Sequence, residues 1–196
     1  MKSKAYIAKT LDRFMTPVWP MDSSVIDALA EVAVCEPVSK KDRICLENEP
    51  FNKVVWISDG IFRLSRVMSD EDQTIAFGVE GDPFLSTSTY LYGEPSLFSY
   101  NPVTDGEIIS VANDDFKKLI NSTELVMWLN RVLLRQVHAL ENRYVWLGQS
   151  DVYSRYLRLI KLRPNLVKQV PLKYIASYLG VTQSTLSRIR ARIAGK

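Results

Sequence analysis

The last 27 residues, "VPLKYIASYLGVTQSTLSRIRARIAGK" (Val170–Lys196), constrain the fold more than any other stretch. A helix–turn–helix needs a small residue where two helices cross and a tight turn between them. Ala176 is the small residue, and Gly180 can take the positive φ that such a turn requires. Ile175, Leu179, Val181, Leu186 and Ile189 are apolar at the inward spacing, and Thr182 can cap the second helix. An ordinary helical hairpin is the competing reading. On the second helix, Gln183, Ser184, Ser187, Arg188 and Ala191 fall on the outward face. Arg suits guanine, Gln suits adenine and Ser suits either, so Gln183, Ser184, Ser187 and Arg188 are expected to read bases. Lys173, Thr182, Thr185, Arg190 and Arg192 are expected to meet phosphates, which give affinity without sequence information.

Charge is divided along the chain in the same sense. From Asp151 onward ten Lys/Arg face one acidic residue, a net of +9, while residues 1–150 carry fifteen basic and twenty-one acidic groups, a net of −6. A basic helical unit behind an acidic segment suggests two units with different partners, and the basic one fits nucleic acid. A solvated basic surface is the plain alternative.

The middle of the chain, roughly 38–111, reads as β. "VVWIS", "IFRLSRV", "QTIAFGV" and "EIISV" are β-rich runs separated by Asp59-Gly60, "MSDED", Gly81-Asp82-Pro83, Gly93-Glu94-Pro95, Asn101-Pro102 and Asp105-Gly106. Short strands with frequent turns predict an antiparallel sandwich or barrel. "DSSVIDALAEVA" ahead of it predicts a helix capped by Ser23 or Ser24. After the strands, Asn121 with Glu124 predicts the capped start of a long helix. Val126, Leu133, Leu140 and Leu147 recur every seven residues, with Asn130, Val137 and Tyr144 at the alternate seam position. Three such heptads predict pairing with a second copy. Leu125, Trp128, Leu129, Val132 and Trp146 widen the apolar stripe, so the opposite side of the helix is expected to cover the β-unit. A further helix is expected near Ser150, capped by that residue. Pro164 and Pro171 are expected to bracket a loop.

These parts together resemble the cyclic-AMP receptor/FNR (CRP/FNR) superfamily of bacterial transcription regulators, over almost the whole chain. "RYLRLIKLRPNL…VPLKYIASYLGVTQSTLSRIR" is particularly similar to its short Bacteroidetes-type forms. The resemblance implies an α+β chain: a jelly-roll-like, cyclic-nucleotide-binding-type β-roll over 1–120, a dimerisation helix over 121–148 and a helix–turn–helix unit over 149–196. It places Gln183, Ser184 and Arg188 where family members touch bases. It also implies a homodimer on pseudo-palindromic double-stranded DNA, with RNA polymerase as a further partner.

The departures from the family pattern matter. Its cyclic-nucleotide cassette begins Gly-Asp, then supplies a Glu for the ribose and an Arg-Ser pair for the cyclic phosphate. Here Gly81-Asp82 sets the frame, Ser86 stands where the Glu is expected, and Ser96 and Leu97 stand where the Arg and Ser are expected. A phosphate buried without a cation is costly, so cyclic AMP is not expected as a ligand and no cofactor is expected. Ser86, Thr87, Ser96 and Leu97 mark a possible pocket for a different, neutral and partly apolar effector, or else a filled loop, which this reading favours. Two cysteines and one histidine do not fit the redox and gas sensors of the family, and His138 reads as a solvated or packed side chain. No β-hairpin wing is expected after the second helix.

No signal-peptide pattern and no run of about 18 apolar residues occurs, so a cytoplasmic protein without a membrane partner is expected. No nucleophile–base pair, phosphate-binding glycine loop or metal-ligand spacing points to an enzyme. A ligand-binding or protein-interaction module of the same fold, without sequence-specific DNA binding, is the second reading. Acidic residues along Gln183–Ala191 would favour it, and there are none.

Overall fold

The computed structural model describes residues 2–149 and 151–195. It is an α+β chain of two antiparallel sheets flanked by helices. Helices α1 (Lys4–Met15) and α2 (Ser23–Val32) lead into strand β1 (Val34–Val38), followed by β2 (Lys53–Asp59), β3 (Phe62–Met68), β4 (Glu71–Gly78) and β5 (Pro83–Phe84). A short helix, α3 (Thr87–Tyr92), precedes β6 (Ser99–Pro102), β7 (Gly106–Ala112) and α4 (Asn113–Leu119). Then come the long α5 (Thr123–Gln149) and the terminal group α6 (Val152–Leu162), α7 (Pro164–Gln169), α8 (Leu172–Tyr178) and α9 (Gln183–Ala194).

One sheet has the order β1-β7-β2-β5 and the other β4-β3-β6, all pairs antiparallel. The alternation of β2 sets the layering. Successive side chains point to opposite faces, and this strand is apolar on both. Val54 and Trp56 face the helices with Leu11, Leu29, Phe116, Leu125 and Trp128, whereas Val55 and Ile57 face the second sheet with Phe62 and Phe84. A third apolar cluster joins the β-unit to the terminal helices, since Ile61 and Phe77 pack among Tyr156, Leu159, Leu166, Ile175 and Leu179. The hairpin β3–β4 turns on Ser69 and Asp70, both at positive φ, inside the run "MSDED".

Several local expectations change. The first helix, α1, carries no strong sequence signal; Ser3 caps it by accepting from Tyr6 N, and Lys4 Nζ donates to Ala30 O, Glu31 O and Ala33 O at the end of α2. Asp22, not Ser23 or Ser24, precedes α2, and its side chain makes no capping bond. The start of α5 lies one residue later than expected. Ser122, not Asn121, accepts from Leu125 N (3.2 Å), and Glu124 lies in the first turn rather than closing a capping box. The expected cap Ser150 lies outside the described residues, whereas Asp151 accepts from Ser154 N at 3.1 Å. Between the two prolines there is a helix, α7, because Pro164 sits in its first turn, where its missing N–H costs nothing. Only Pro171 acts as a breaker, one residue before α8.

Candidate nucleic-acid interface and effector cavity

Helix α8 ends in a Schellman arrangement. Val181 N donates to Ala176 O (3.0 Å) and Gly180 N to Ser177 O (3.1 Å), with Gly180 at φ +70°. A left-handed residue at that step lets the chain turn back within three residues. Ala176 is buried, as are Ile175, Leu179 and Leu186, so α8 and α9 cross at close range. Thr182 then caps α9 by accepting from Thr185 N at 3.2 Å, and its hydroxyl lies 3.0 Å from that of Ser184.

This geometry leaves one face of α9 open. Gln183, Ser184, Ser187 and Arg188 are exposed, and Arg188 Nη2 rests 3.4 Å from Thr185 Oγ1. Lys173, Thr182, Arg190 and Arg192 are exposed and Thr185 is half-buried. Arg192 lies over the Tyr153 ring, and Lys173 over that of Tyr174. The first turn of α9 carries no acidic residue. The residues expected to read bases and those expected to meet phosphates therefore lie together on α8, the turn and α9. Lys196 lies outside the described residues.

The long helix divides as its stripe suggests. Leu125, Trp128 and Val132 are buried against the first sheet, and Arg131 lies over the Trp19 ring. The Trp128 and Trp56 rings are 5.6 Å apart. On the other side Val126, Asn130, Leu133, Val137, Leu140 and Tyr144 are exposed, Leu140 at 55% and Tyr144 at 84%. Leu134 and Val145 widen this exposed band. Leu147 is half-buried, with its Cδ2 beside Gly180, so the last heptad position meets the helix–turn–helix of its own chain. His138 is exposed, 3.8 Å from Glu141 and 2.9 Å from Asn142.

Within the segment Ser86–Leu97, Thr87–Tyr92 form the short helix α3. Ser86 Oγ caps α3, accepting from Thr89 N (3.3 Å) and Thr89 Oγ1 (3.0 Å). Ser96 Oγ donates to Phe98 O (2.8 Å) and lies 3.6 Å from Cys45 Sγ. Both hydroxyls at the expected Glu and Arg positions are thus engaged by their own neighbourhood. Thr87 and Leu97 remain exposed. Beside them opens a cavity of about 800 Å³ between β4, the β5–β6 segment, α5 and the terminal helices. Tyr100 stacks on Phe84 at 3.9 Å within its wall, and burial pushes the Tyr100 hydroxyl's pKa up. Burial likewise raises the Asp82 carboxyl, which accepts from Val79 N.

Four arginines line this cavity: Arg135, Arg143, Arg158 and Arg163. The sequence reading did not assign them, because they come from α5, α6 and the α6–α7 junction and no local motif joins them. Arg63 and Arg66, the cations nearest the cassette in sequence, do not line it. Arg63 pairs with Asp72 (2.6 Å) and lies over Tyr174, and Arg66 pairs with Glu47.

The terminal helices dock on the sheet edge. Thr74 N, on the edge strand β4, donates to Ser177 Oγ at 2.8 Å. Arg143 donates to Tyr178 O (3.0 Å) and Thr74 O (3.1 Å), and Arg163 to Phe77 O (3.2 Å). Phe77 and Tyr178 rings meet at 5.4 Å. This covers a strand edge that would otherwise present unpaired groups.

Among the described residues, no group of three or more His, Cys, Asp or Glu could hold a metal, and no helix is long and apolar enough to cross a membrane. No family model matches the sequence, and no curated protein matches it. Solved structures do. FixK2 from Bradyrhizobium japonicum is similar with a TM-score of 0.73 at 22% identity, covering 84% of this chain and 85% of its own. The c-di-GMP-responsive global regulator CLP of Xanthomonas campestris gives 0.72 at 10% identity, over 89% and 92%. A chain from Eubacterium rectale assigned to the crp/fnr family of transcriptional regulators gives 0.72 at 11%, over 86% and 82%. From the N-terminal helices through the β-roll and the long helix to the terminal helix–turn–helix, the chain has the CRP/FNR fold.

Proposed function

We propose that the protein is a homodimeric, sequence-specific DNA-binding transcription regulator, with a sensor unit over 1–120, a pairing helix over 121–148 and a DNA-binding unit over 149–196. The observation that carries this is the open face of α9: Gln183, Ser184, Ser187 and Arg188 exposed at the start of a well-capped helix in a basic unit. Short polar side chains let the helix approach base edges, and the flanking cations neutralise phosphates. The exposed band on α5 supports pairing of two copies, which would present two such helices to a pseudo-palindromic operator. RNA polymerase is the further partner this reading carries.

The test is a duplex-binding titration followed by anisotropy. Arg188→Ala should lose discrimination at one base position, at a cost of roughly 1–3 kcal/mol. Arg190→Ala should instead weaken all duplexes alike and flatten the salt dependence. Variants that change neither specificity nor salt slope would leave a module of this fold that does not read DNA.

The proposed effector is not cyclic AMP. A cyclic phosphate must leave water, and a neutral hydrogen bond returns only about 1 kcal/mol net. Ser96 and Ser86 already spend their hydroxyls on Phe98 O and on the cap of α3. The cavity's arginines come from α5, α6 and the α6–α7 junction rather than from the α3–β6 segment. Calorimetry with cyclic AMP or cyclic GMP should show no binding at sub-millimolar concentration, and DNA affinity should be indifferent to both. Micromolar binding that also raised DNA affinity would overturn this point.

A further inference from the structure

Helix α8 lies along the edge strand β4 in a fixed register. Tyr178 meets Phe77, Ser177 accepts from Thr74 N, and the Tyr174 ring lies 4.2 Å from the Arg63 guanidinium, which Asp72 holds at 2.6 Å. Helix and strand thus run in the same sense, and the first turn of α8 points toward the tip of the β3–β4 hairpin. Lys173 stands in that turn, with its Nζ 4.8 Å from the centre of the same Tyr174 ring. The tip is acidic, because Asp70, Glu71 and Asp72 follow one another and are exposed. Both cations of β3 are already matched, Arg63 by Asp72 and Arg66 by Glu47. Among the described residues Asp70 and Glu71 make no ion pair.

In a helix–turn–helix the first helix crosses the DNA backbone, and Lys173 is the cation of α8 expected to meet a phosphate. One residue of strand spans about 3.3 Å, so Glu71 and Asp70 stand close beyond the Arg63–Asp72–Tyr174 cluster. The Debye length is about 30 Å at 0.01 M salt and about 3 Å at 1 M, so their charges reach the phosphate position at low salt and not at high salt. We infer that the acidic hairpin tip guards the DNA face of the docked helix–turn–helix. A duplex phosphate brought to Lys173 is repelled by Asp70 and Glu71, and affinity for every duplex is lowered alike. The repulsion belongs to the docked arrangement. A terminal unit that moved off β4 would carry Lys173 away from the tip, so the hairpin links release of α8 to tighter DNA binding. This guard rests on the regulator reading, since DNA is what it acts on.

Asp70→Asn combined with Glu71→Gln removes both charges and keeps the turn, since Asn tolerates the left-handed backbone of Asp70 (φ +65°). Asp22→Asn combined with Asp27→Asn changes the net charge equally on α2, which packs on α1, α4 and β7. The wild-type full chain and both variants are titrated with one labelled random-sequence duplex at about 0.02 M and about 0.5 M salt, followed by anisotropy. At low salt the tip variant should bind at least about threefold tighter than wild type, and tighter than the α2 variant; at high salt the advantage should vanish. Ser177→Ala removes the acceptor of Thr74 N and loosens the docking, so its own gain in affinity should shrink in the tip variant. Equal affinity of wild type and tip variant, or an equal gain in the α2 variant, would overturn the guard and leave DNA binding standing. Additive gains from the tip and from Ser177→Ala would overturn its link to docking. If neither wild type nor tip variant binds any duplex, the regulator reading falls and the guard falls with it.

Discussion

Leu133→Glu combined with Leu140→Glu is expected to leave the protein monomeric at micromolar concentration and to remove most of its operator affinity. Both leucines lie in the exposed band of α5, at 36% and 55% exposure in a single chain. Complete burial of a leucine is worth about 1.5–3 kcal/mol, so covering the remaining surface is worth roughly 1 kcal/mol each. A symmetric pair contains four, hence roughly 4 kcal/mol, or about a thousandfold in the dissociation constant. Glutamates at these positions also place like charges opposite one another along the seam. Because neither side chain supports the β-roll core, the variant chain should keep its fold. Sedimentation measures the assembly and circular dichroism the fold. A wild-type chain that sediments as a monomer would remove the pairing reading altogether.

Trp128→Ala should cost about 3–5 kcal/mol of stability, the loss typical of a large buried aromatic. Trp128 is 1% exposed and joins α5 to the first sheet through Trp56. Among the described residues its indole Nε1 has no hydrogen-bond partner, and the same holds for Trp56. Trp128→Phe removes that unsatisfied donor while keeping most of the apolar area. It should therefore cost far less, on the order of 1 kcal/mol. Denaturant titrations of both variants check this. If Phe and Ala cost the same, the contact is not what anchors the long helix.

Much of this architecture was legible from pattern. The four named β-runs coincide with β2, β3, β4 and β7, because their β-branched and aromatic residues and the turn residues between them are local signals. The helix–turn–helix was legible for the same reason, with Ala176, Gly180 and Thr182 each at a position only a few residue types fill. Short elements were not. β1, β5, β6, α3 and α4 have two to seven residues each, too few for a period to show. Caps shifted because several Ser, Thr, Asn or Asp neighbours compete at each helix start, and tertiary packing chooses among them, as with Ser122 over Asn121. The cavity is the clearest limit. Its hydroxyl segment was visible in sequence, but the arginines that set its charge meet only once α5, α6 and β4 pack together.

The most direct measurement is selection of bound duplexes from random DNA at moderate salt, read out by sequencing. The expected result is a pseudo-palindrome whose half-sites lie about one helical turn apart, on the order of 34 Å. Arg188→Ala should relax the same position in both halves, since two identical recognition helices make the same contact. An enriched sequence without two-fold symmetry would contradict the paired arrangement. Recovery of no motif at all from correctly folded, dimeric protein would contradict the regulator reading itself.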